Sequence, residues 1–209
     1  MSEQTANPEA AAPPEFDRAK DMARLKSVAG RHFATLMGAL TLFAAGDLWA
    51  QQSDLLIADF TGLANAIIAG YIMAFLAHEW GHFAGARLSG AMSPVLKEPA
   101  GFFMFNFKFE HNTTRQFLWM SLGGPGANWT LVLLIWWLLP MSTPAGLMLL
   151  ATALGIAVNV TVFEGPIIKN VMGGGEPQAE LKTRVQNNAF RASNVPGVAA
   201  AAALWLAFV

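Results

Sequence analysis

Five apolar segments, each close to the length that crosses a lipid bilayer, constrain the fold of this chain more than any other feature. About 20 apolar residues cross the hydrocarbon core as a helix, and only helices and closed barrels can span lipid. The segments run over residues 33–50, 62–86, 117–139, 144–163 and 195–209, and the last is the shortest. The sequence therefore predicts an all-α polytopic membrane protein with about five transmembrane helices.

The composition agrees with a bilayer-embedded chain and narrows its chemistry. Hydrophobic residues make up 54% of the 209 residues and charged residues only 13%, which is too apolar for an ordinary soluble domain. The chain has no cysteine, so disulfides and thiolate metal sites are excluded and a transition metal would need histidine or carboxylate ligands. The net charge of −1 indicates no nucleic-acid partner.

The basic residues predict the orientation of the chain. All 13 lie before the first segment or on the second and fourth connections: Arg18, Lys20, Arg24, Lys26, Arg31, Arg87, Lys97, Lys108, Arg115, Lys169, Lys182, Arg184 and Arg191. Because the positive-inside rule places such connections in the cytoplasm, we expect an integral protein of a bacterial cytoplasmic membrane with a cytoplasmic N-terminus. Residues 1–32 would form a polar tail, disordered over 1–15 and with an interfacial helix over 16–31, and residues 33–209 a single transmembrane domain.

Residues 78–82 read His-Glu-Trp-Gly-His inside the second apolar segment. On a helix this i, i+4 spacing puts His78 and His82 on one face, where two imidazoles can bind one Zn²⁺. Glu79 then lies beside the metal as a candidate catalytic base. Ionisable side chains within a span are costly unless they are paired or bind a metal. We therefore expect a zinc site, with a structural polar cluster as the alternative.

A zinc site needs a third protein ligand, and two residues are candidates. Glu164 ends the fourth segment, on the side of the membrane where the histidines are expected, although a carboxylate at the end of a span commonly faces water. His111 lies in the second connection beside Asn112 and two threonines, which is typical of a solvated loop. We expect Glu164 to complete the ligand set.

The third segment begins with a polar, glycine-rich stretch over residues 122–128, Leu-Gly-Gly-Pro-Gly-Ala-Asn. In the orientation above, this stretch lies at the depth of the histidines. Irregular backbone is tolerated at that depth only where it is buried in protein or lines a wet cavity. Asn128 is therefore a candidate catalytic residue, whereas the glycines could simply permit close helix packing.

Phenylalanine alternates with other residues between the second and third segments, at positions 103, 105, 107 and 109. This period of two predicts a short strand or hairpin with one apolar face. Because an exposed strand edge can hold an extended peptide through backbone hydrogen bonds, Phe103, Phe105 and Phe107 are candidate substrate-binding residues. Alternatively, the aromatic rings only anchor this loop in the membrane interface.

Taken together, these motifs resemble those of the site-2 proteases, which are intramembrane zinc metalloproteases. The resemblance covers about residues 62–170. His-Glu-Trp-Gly-His matches the zinc motif of that family, and residues 124–128 look like its Gly-Pro-x-x-Asn segment. Asn159 with Glu164-Gly165 looks like the segment that ends in Asp-Gly and supplies the third ligand.

The resemblance implies a function. We expect a Zn²⁺-dependent endopeptidase that hydrolyses a peptide bond of a transmembrane protein substrate near the cytoplasmic face, with Asn128 serving the active site. The chain departs from the family pattern because Glu164 replaces the usual aspartate and the proline usual between Asn159 and the acidic residue is absent. This departure leaves an alternative, in which the protein is a catalytically inactive membrane scaffold or assembly subunit.

Overall fold

The computed structural model describes residues 16–208, which form six helices and one β-hairpin. The helices are α1 (Arg18–Gln52), α2 (Leu56–Leu88), α3 (Thr114–Leu138), α4 (Pro144–Met172), α5 (Pro177–Gln186) and α6 (Ala189–Phe208). Between α2 and α3 lie the strands β1 (Val95–Ala100) and β2 (Phe103–Phe105) and a single 3₁₀ turn (Phe109–His111). The predicted all-α class with a small hairpin is confirmed. The predicted disorder over residues 1–15 lies outside the described residues.

Four of these helices, α1 to α4, are long and apolar enough to cross a membrane, as expected of an integral membrane protein. Within residues 16–208 the number of such helices is therefore four rather than the predicted five. The fifth segment forms the C-terminal part of α6, whose first turns carry Arg191, Asn194 and Pro196 and lower its apolar content. α6 instead packs closely on α4, where a Cβ built on Gly197 would lie 2.6 Å from the Gly155 carbonyl oxygen.

The first helix begins well before the predicted first span. α1 contains 35 residues, or about 52 Å at 1.5 Å per residue, which exceeds the roughly 30 Å hydrocarbon core. The segment expected to form a separate interfacial helix is therefore continuous with the span. Its first turns are tied to the rest of the fold, because Asp21 pairs with Arg87 of α2 at 2.6 Å and accepts a hydrogen bond from the backbone N–H of Val95 at 2.7 Å.

α3 and α4 run without a break through the segments where irregular backbone was expected. Pro125 lies inside α3 and Pro166 inside α4. α4 continues past Pro166 to Met172 and does not end near residue 163 as predicted. An internal proline frees one carbonyl of the preceding turn, and membrane helices tolerate this where neighbouring groups satisfy the carbonyl. Glu164 consequently projects from the side of a helix and not from a broken helix end.

Small residues bring α2 and α3 into close contact. A Cβ on Gly81 would overlap the carbonyl oxygen of Gly123, and a Cβ on Gly85, one turn further, would overlap the carbonyl oxygen of Trp119. Glycines spaced in this way let membrane helices approach backbone to backbone. The contact places the His-Glu-Trp-Gly-His turn of α2 directly against the glycine-rich turn of α3. The packing role expected for the glycines therefore holds for Gly123.

The hairpin packs on α1 and α2 mainly through Val95 and Met104, and the ring of Phe105 also contacts Phe83 of α2. β1 and β2 are antiparallel, with Val95 opposite Phe105 and a register irregularity between this pair and the hairpin turn. Met104 is fully buried in a cluster with Val28 and Phe83, whereas Phe103 is 65% exposed. β2 is shorter than the phenylalanine alternation over residues 103–109, and the last of these phenylalanines lies in the 3₁₀ turn. The alternation of period two nevertheless holds along β2.

Candidate metal centre

Three side chains converge at the contact between α2, α3 and α4. One turn of α2 separates His78 from His82, and their Nε2 atoms are 2.9 Å apart. Glu164 of α4 places Oε1 3.0 Å from Nε2 of His78 and 3.2 Å from Nε2 of His82. All three side chains are largely buried. These three are the predicted ligands, and they form a group that could hold a metal ion.

The second ring nitrogen of each histidine is engaged by the protein. Nδ1 of His82 lies 2.8 Å from the carbonyl oxygen of Met120, which can only accept, so Nδ1 carries the proton. Nδ1 of His78 lies 2.8 Å from Oδ1 of Asn128. The Asn128 amide is oriented by its Nδ2, which donates to the Ala74 carbonyl at 3.0 Å. Both Nε2 atoms thus point towards Glu164 and are left for a metal ion, which is the arrangement of metal-bound histidines.

The donor set and its spacing fit a cation. The two Nε2 atoms are 2.9 Å apart, and in the tautomers that carry the proton on Nδ1 their lone pairs would face each other, an arrangement that a shared cation would stabilise. Oε2 of Glu164 is buried and has no hydrogen-bond partner among the described residues. Zinc bonds of about 2.0 to 2.2 Å in tetrahedral geometry separate ligand atoms by roughly 3.3 Å, close to the observed spacings. Three protein ligands leave a fourth coordination position.

Asn128, the candidate catalytic residue of α3, is buried against one of the histidines. It is 1% exposed, and its amide contacts His78 and the Ala74 carbonyl. Both ends of the amide therefore have protein partners, so Asn128 orients His78 in the arrangement seen here. The Met120 carbonyl does the same for His82 and was not identified from the sequence, because any backbone carbonyl can serve this purpose.

The other polar candidates lie away from this group. His111 is exposed in the 3₁₀ turn and is not among the residues whose ligand atoms converge. His32 of α1 accepts a hydrogen bond from the indole of Trp80 at 3.2 Å. Asn159 donates to the side chain of Asn194 on α6, which joins α4 to α6.

Glu79 and the three converging side chains line one cavity of about 580 Å³. Glu79 is buried, and its carboxylate has no hydrogen-bond or ion-pair partner within residues 16–208. Phe103, Phe105 and Phe107 line the same cavity from the hairpin side. The candidate base and the candidate substrate-binding residues are therefore brought together with the metal group.

Helices α5 and α6 close part of this cavity. Leu181, Val185 and Phe190 contribute to its lining, and none was identified from the sequence. The apolar pair Leu181 and Val185, spaced i, i+4 in an otherwise polar helix, is the signal that predicts one apolar face. The cavity is thus mostly apolar, with its polar groups concentrated at the converging side chains.

Gly124 allows us to test how tightly the histidines are held. A Cβ at this position would overlap the rings of His82 and His78, whereas a Cβ on Gly126, two residues along α3, would meet nothing within 4 Å. We expect Gly124→Ala to lower metal affinity by about 10- to 100-fold, the usual cost of disturbing the groups around metal ligands. Gly126→Ala should leave it unchanged. Competition with a chromophoric chelator measures both, and equal affinities would contradict the expectation.

Comparison of the chain with protein-family models, with curated proteins and with solved structures finds no match. What the site can do therefore follows from its own geometry: two imidazoles and a carboxylate in the wall of an apolar cavity.

Proposed function

We propose that this protein is an intramembrane zinc metalloprotease of the site-2 protease type, which hydrolyses a peptide bond of a transmembrane protein substrate. One observation carries the proposal: the Nε2 atoms of His78 and His82 and Oε1 of Glu164 lie within 3.2 Å of one another in a cavity that Glu79 also lines. Two histidines and a carboxylate are the ligand set of zinc peptidases with an open fourth position.

The residues of the chain take distinct roles in this reaction. Zinc, when bound, supplies Lewis-acid activation of water and of the scissile carbonyl. Glu79 accepts the proton of the attacking water and passes it to the leaving amine. Asn128 and the Met120 carbonyl hold His78 and His82 with Nε2 free. The apolar lining of the cavity limits water, which strengthens electrostatic interactions at the site.

The tryptophans of α3 support a shallow position of the metal site in the membrane. Trp119, Trp136 and Trp137 are exposed, and about 26 Å of helix, at 1.5 Å per residue, separates the first two. That distance is close to the hydrocarbon thickness, and tryptophan favours the two interfaces. Gly124, beside the histidine rings, is only about 8 Å from Trp119 by the same rise. Arg115 precedes Trp119, so we assign this side, and the N-terminus, to the cytoplasm.

The hairpin supports a role in holding the substrate. A two-stranded sheet leaves one edge of each strand unpaired, and two phenylalanines of β2, Phe103 and Phe105, line the cavity. An extended substrate segment could add to the edge of β2 through backbone hydrogen bonds while its apolar side chains contact these rings. Anchoring of the loop in the interface is the alternative role of the same rings.

Metal analysis of the purified full-length protein tests the proposal. We expect about one tightly bound zinc per chain and its loss in His78→Ala, because the two remaining protein ligands, His82 and Glu164, cannot hold the ion with comparable affinity. His111→Ala, which removes an exposed histidine, should retain the zinc. A wild-type protein without zinc would instead favour the scaffold, which the substitution of aspartate by Glu164 first suggested.

A further inference from the structure

Pro166 leaves a backbone carbonyl of α4 without its normal donor close to Glu164. In an α-helix the N–H of residue 166 would donate to the carbonyl of Val162. Proline has no N–H, and its ring also crowds that carbonyl. The helix is therefore weakened at the turn that carries the third ligand of the proposed metal site.

Arg184 of α5 supplies the missing donor and bonds the next carbonyl as well. Its Nη2 donates to the Val162 carbonyl at 2.7 Å and its Nε to the Phe163 carbonyl at 3.1 Å. The guanidinium is planar and offers these N–H groups in a fixed arrangement, which a lysine cannot reproduce. The two carbonyls belong to the residues directly before Glu164. One side chain thus bridges the backbone on the N-terminal side of this ligand.

The packing of α5 on α4 directs Arg184 to this position. The Glu176 side chain caps α5 by accepting hydrogen bonds from Gln178 and Ala179. Glu180 accepts a hydrogen bond from the Asn170 side chain at 2.8 Å, and Leu181 packs in the cluster that contains Ile167. Glu180 and Arg184 are spaced i, i+4 and so lie on one face of α5. The guanidinium is held over the proline turn from outside the cavity.

We propose that Arg184 is a positioning residue for the third metal ligand. By bonding the carbonyls of Val162 and Phe163, it holds the proline turn of α4 so that Oε1 of Glu164 stays within reach of both histidine nitrogens. This inference rests on the proposed metal site. It assigns Arg184 a specific task beyond that of a basic residue marking the cytoplasmic side.

Cobalt binding to the full-length protein tests this role without relying on proteolysis. Co²⁺ replaces Zn²⁺ in such sites, and its visible absorption reports the number and geometry of the ligands. We expect Arg184→Met to weaken Co²⁺ binding by about 10- to 100-fold, the usual effect of losing a group that supports a ligand, and to change the spectrum. Lys182→Met removes an exposed cation from the same helix and should bind as the wild type does. Arg184→Lys should recover only part of the affinity.

Pro166→Ala makes the test specific, because alanine restores the N–H that donates to Val162. In a Pro166→Ala background, Arg184→Met should weaken Co²⁺ binding only a few-fold. An equal loss in both backgrounds would overturn the proposal, since Arg184 would then act only by attaching α5. Wild-type affinity and spectrum in Arg184→Met would also overturn it.

The outcomes also separate this inference from the proposed function. If Arg184→Met does not accumulate, recovery of folded, metal-binding protein in the double variant supports the role, and failure of the double variant overturns it. A wild-type protein that binds neither metal would overturn both proposals. If the wild type binds one zinc and Arg184→Met binds metal as the wild type does, only the role of Arg184 is overturned.

Discussion

Replacing Glu79 with glutamine is expected to lower the rate of peptide-bond cleavage by about 10²- to 10⁴-fold, the range that a general base contributes. Glutamine keeps the size of the side chain but cannot accept the proton of the attacking water. Because Glu79 is not one of the three converging ligands, the variant should still bind one zinc. Retained metal together with lost cleavage is the combination that identifies a base.

A matched control for this variant is Glu110→Gln, which makes the same chemical change at an exposed position in the 3₁₀ turn. Both proteins would be reconstituted in lipid, and cleavage of a transmembrane substrate would be followed by the appearance of its shorter product. Undiminished cleavage by Glu79→Gln would remove Glu79 from the mechanism. Loss of zinc from this variant would show that Glu79 supports the metal as well.

Replacing Glu164 with alanine is expected to remove the third ligand and lower zinc affinity by more than about 100-fold, above the range seen for groups that merely support a ligand. The two Nε2 atoms would then lose the carboxylate that lies beside them, and two imidazoles alone do not make a stable zinc site. Cleavage should be lost with the metal. Zinc content after dialysis and chelator competition measure the effect.

Glu164→Asp separates the effect of the carboxylate group from the effect of the length of the side chain. Aspartate keeps the carboxylate but shortens the side chain by one methylene, which draws the oxygen back from positions 3.0 and 3.2 Å from the two histidines. We therefore expect an affinity between those of the wild type and Glu164→Ala. Full zinc content in Glu164→Ala would contradict the assignment and would require another third ligand.

The parts of the site that could be predicted from sequence are those that depend on helical periodicity. His78 and His82 share a face because 3.6 residues form each turn, whatever surrounds the helix. Glu164 was predicted from the absence of cysteine and from its depth along α4, and the structure places its Oε1 beside both histidines. The hairpin was predicted from alternation alone. Which of its faces would pack on α1 and which would line the cavity was not determined by that pattern.

The roles of the groups that support the ligands could not be predicted, because they depend on contacts between distant parts of the chain. Asn128 contacts His78 across 50 residues, and Met120 contacts His82 across 38. From the sequence alone, Arg184 is one of several basic residues on the fourth connection. Its bonds to the carbonyls of Val162 and Phe163 depend on how α5 packs on α4.

The sequence by itself determined the membrane character, the predominance of helix and the spacing of the two histidines, because hydropathy and helical repeat are local properties. The structure set the bounds of the helices, and by those bounds four helices rather than five are long and apolar enough to span within residues 16–208. It also decided that α4 runs unbroken past Pro166 and that Glu164 meets the histidines. The physical reason is that these outcomes depend on contacts between helices, since only the packing of α5 on α4 brings Arg184 to the carbonyl that Pro166 leaves without a donor.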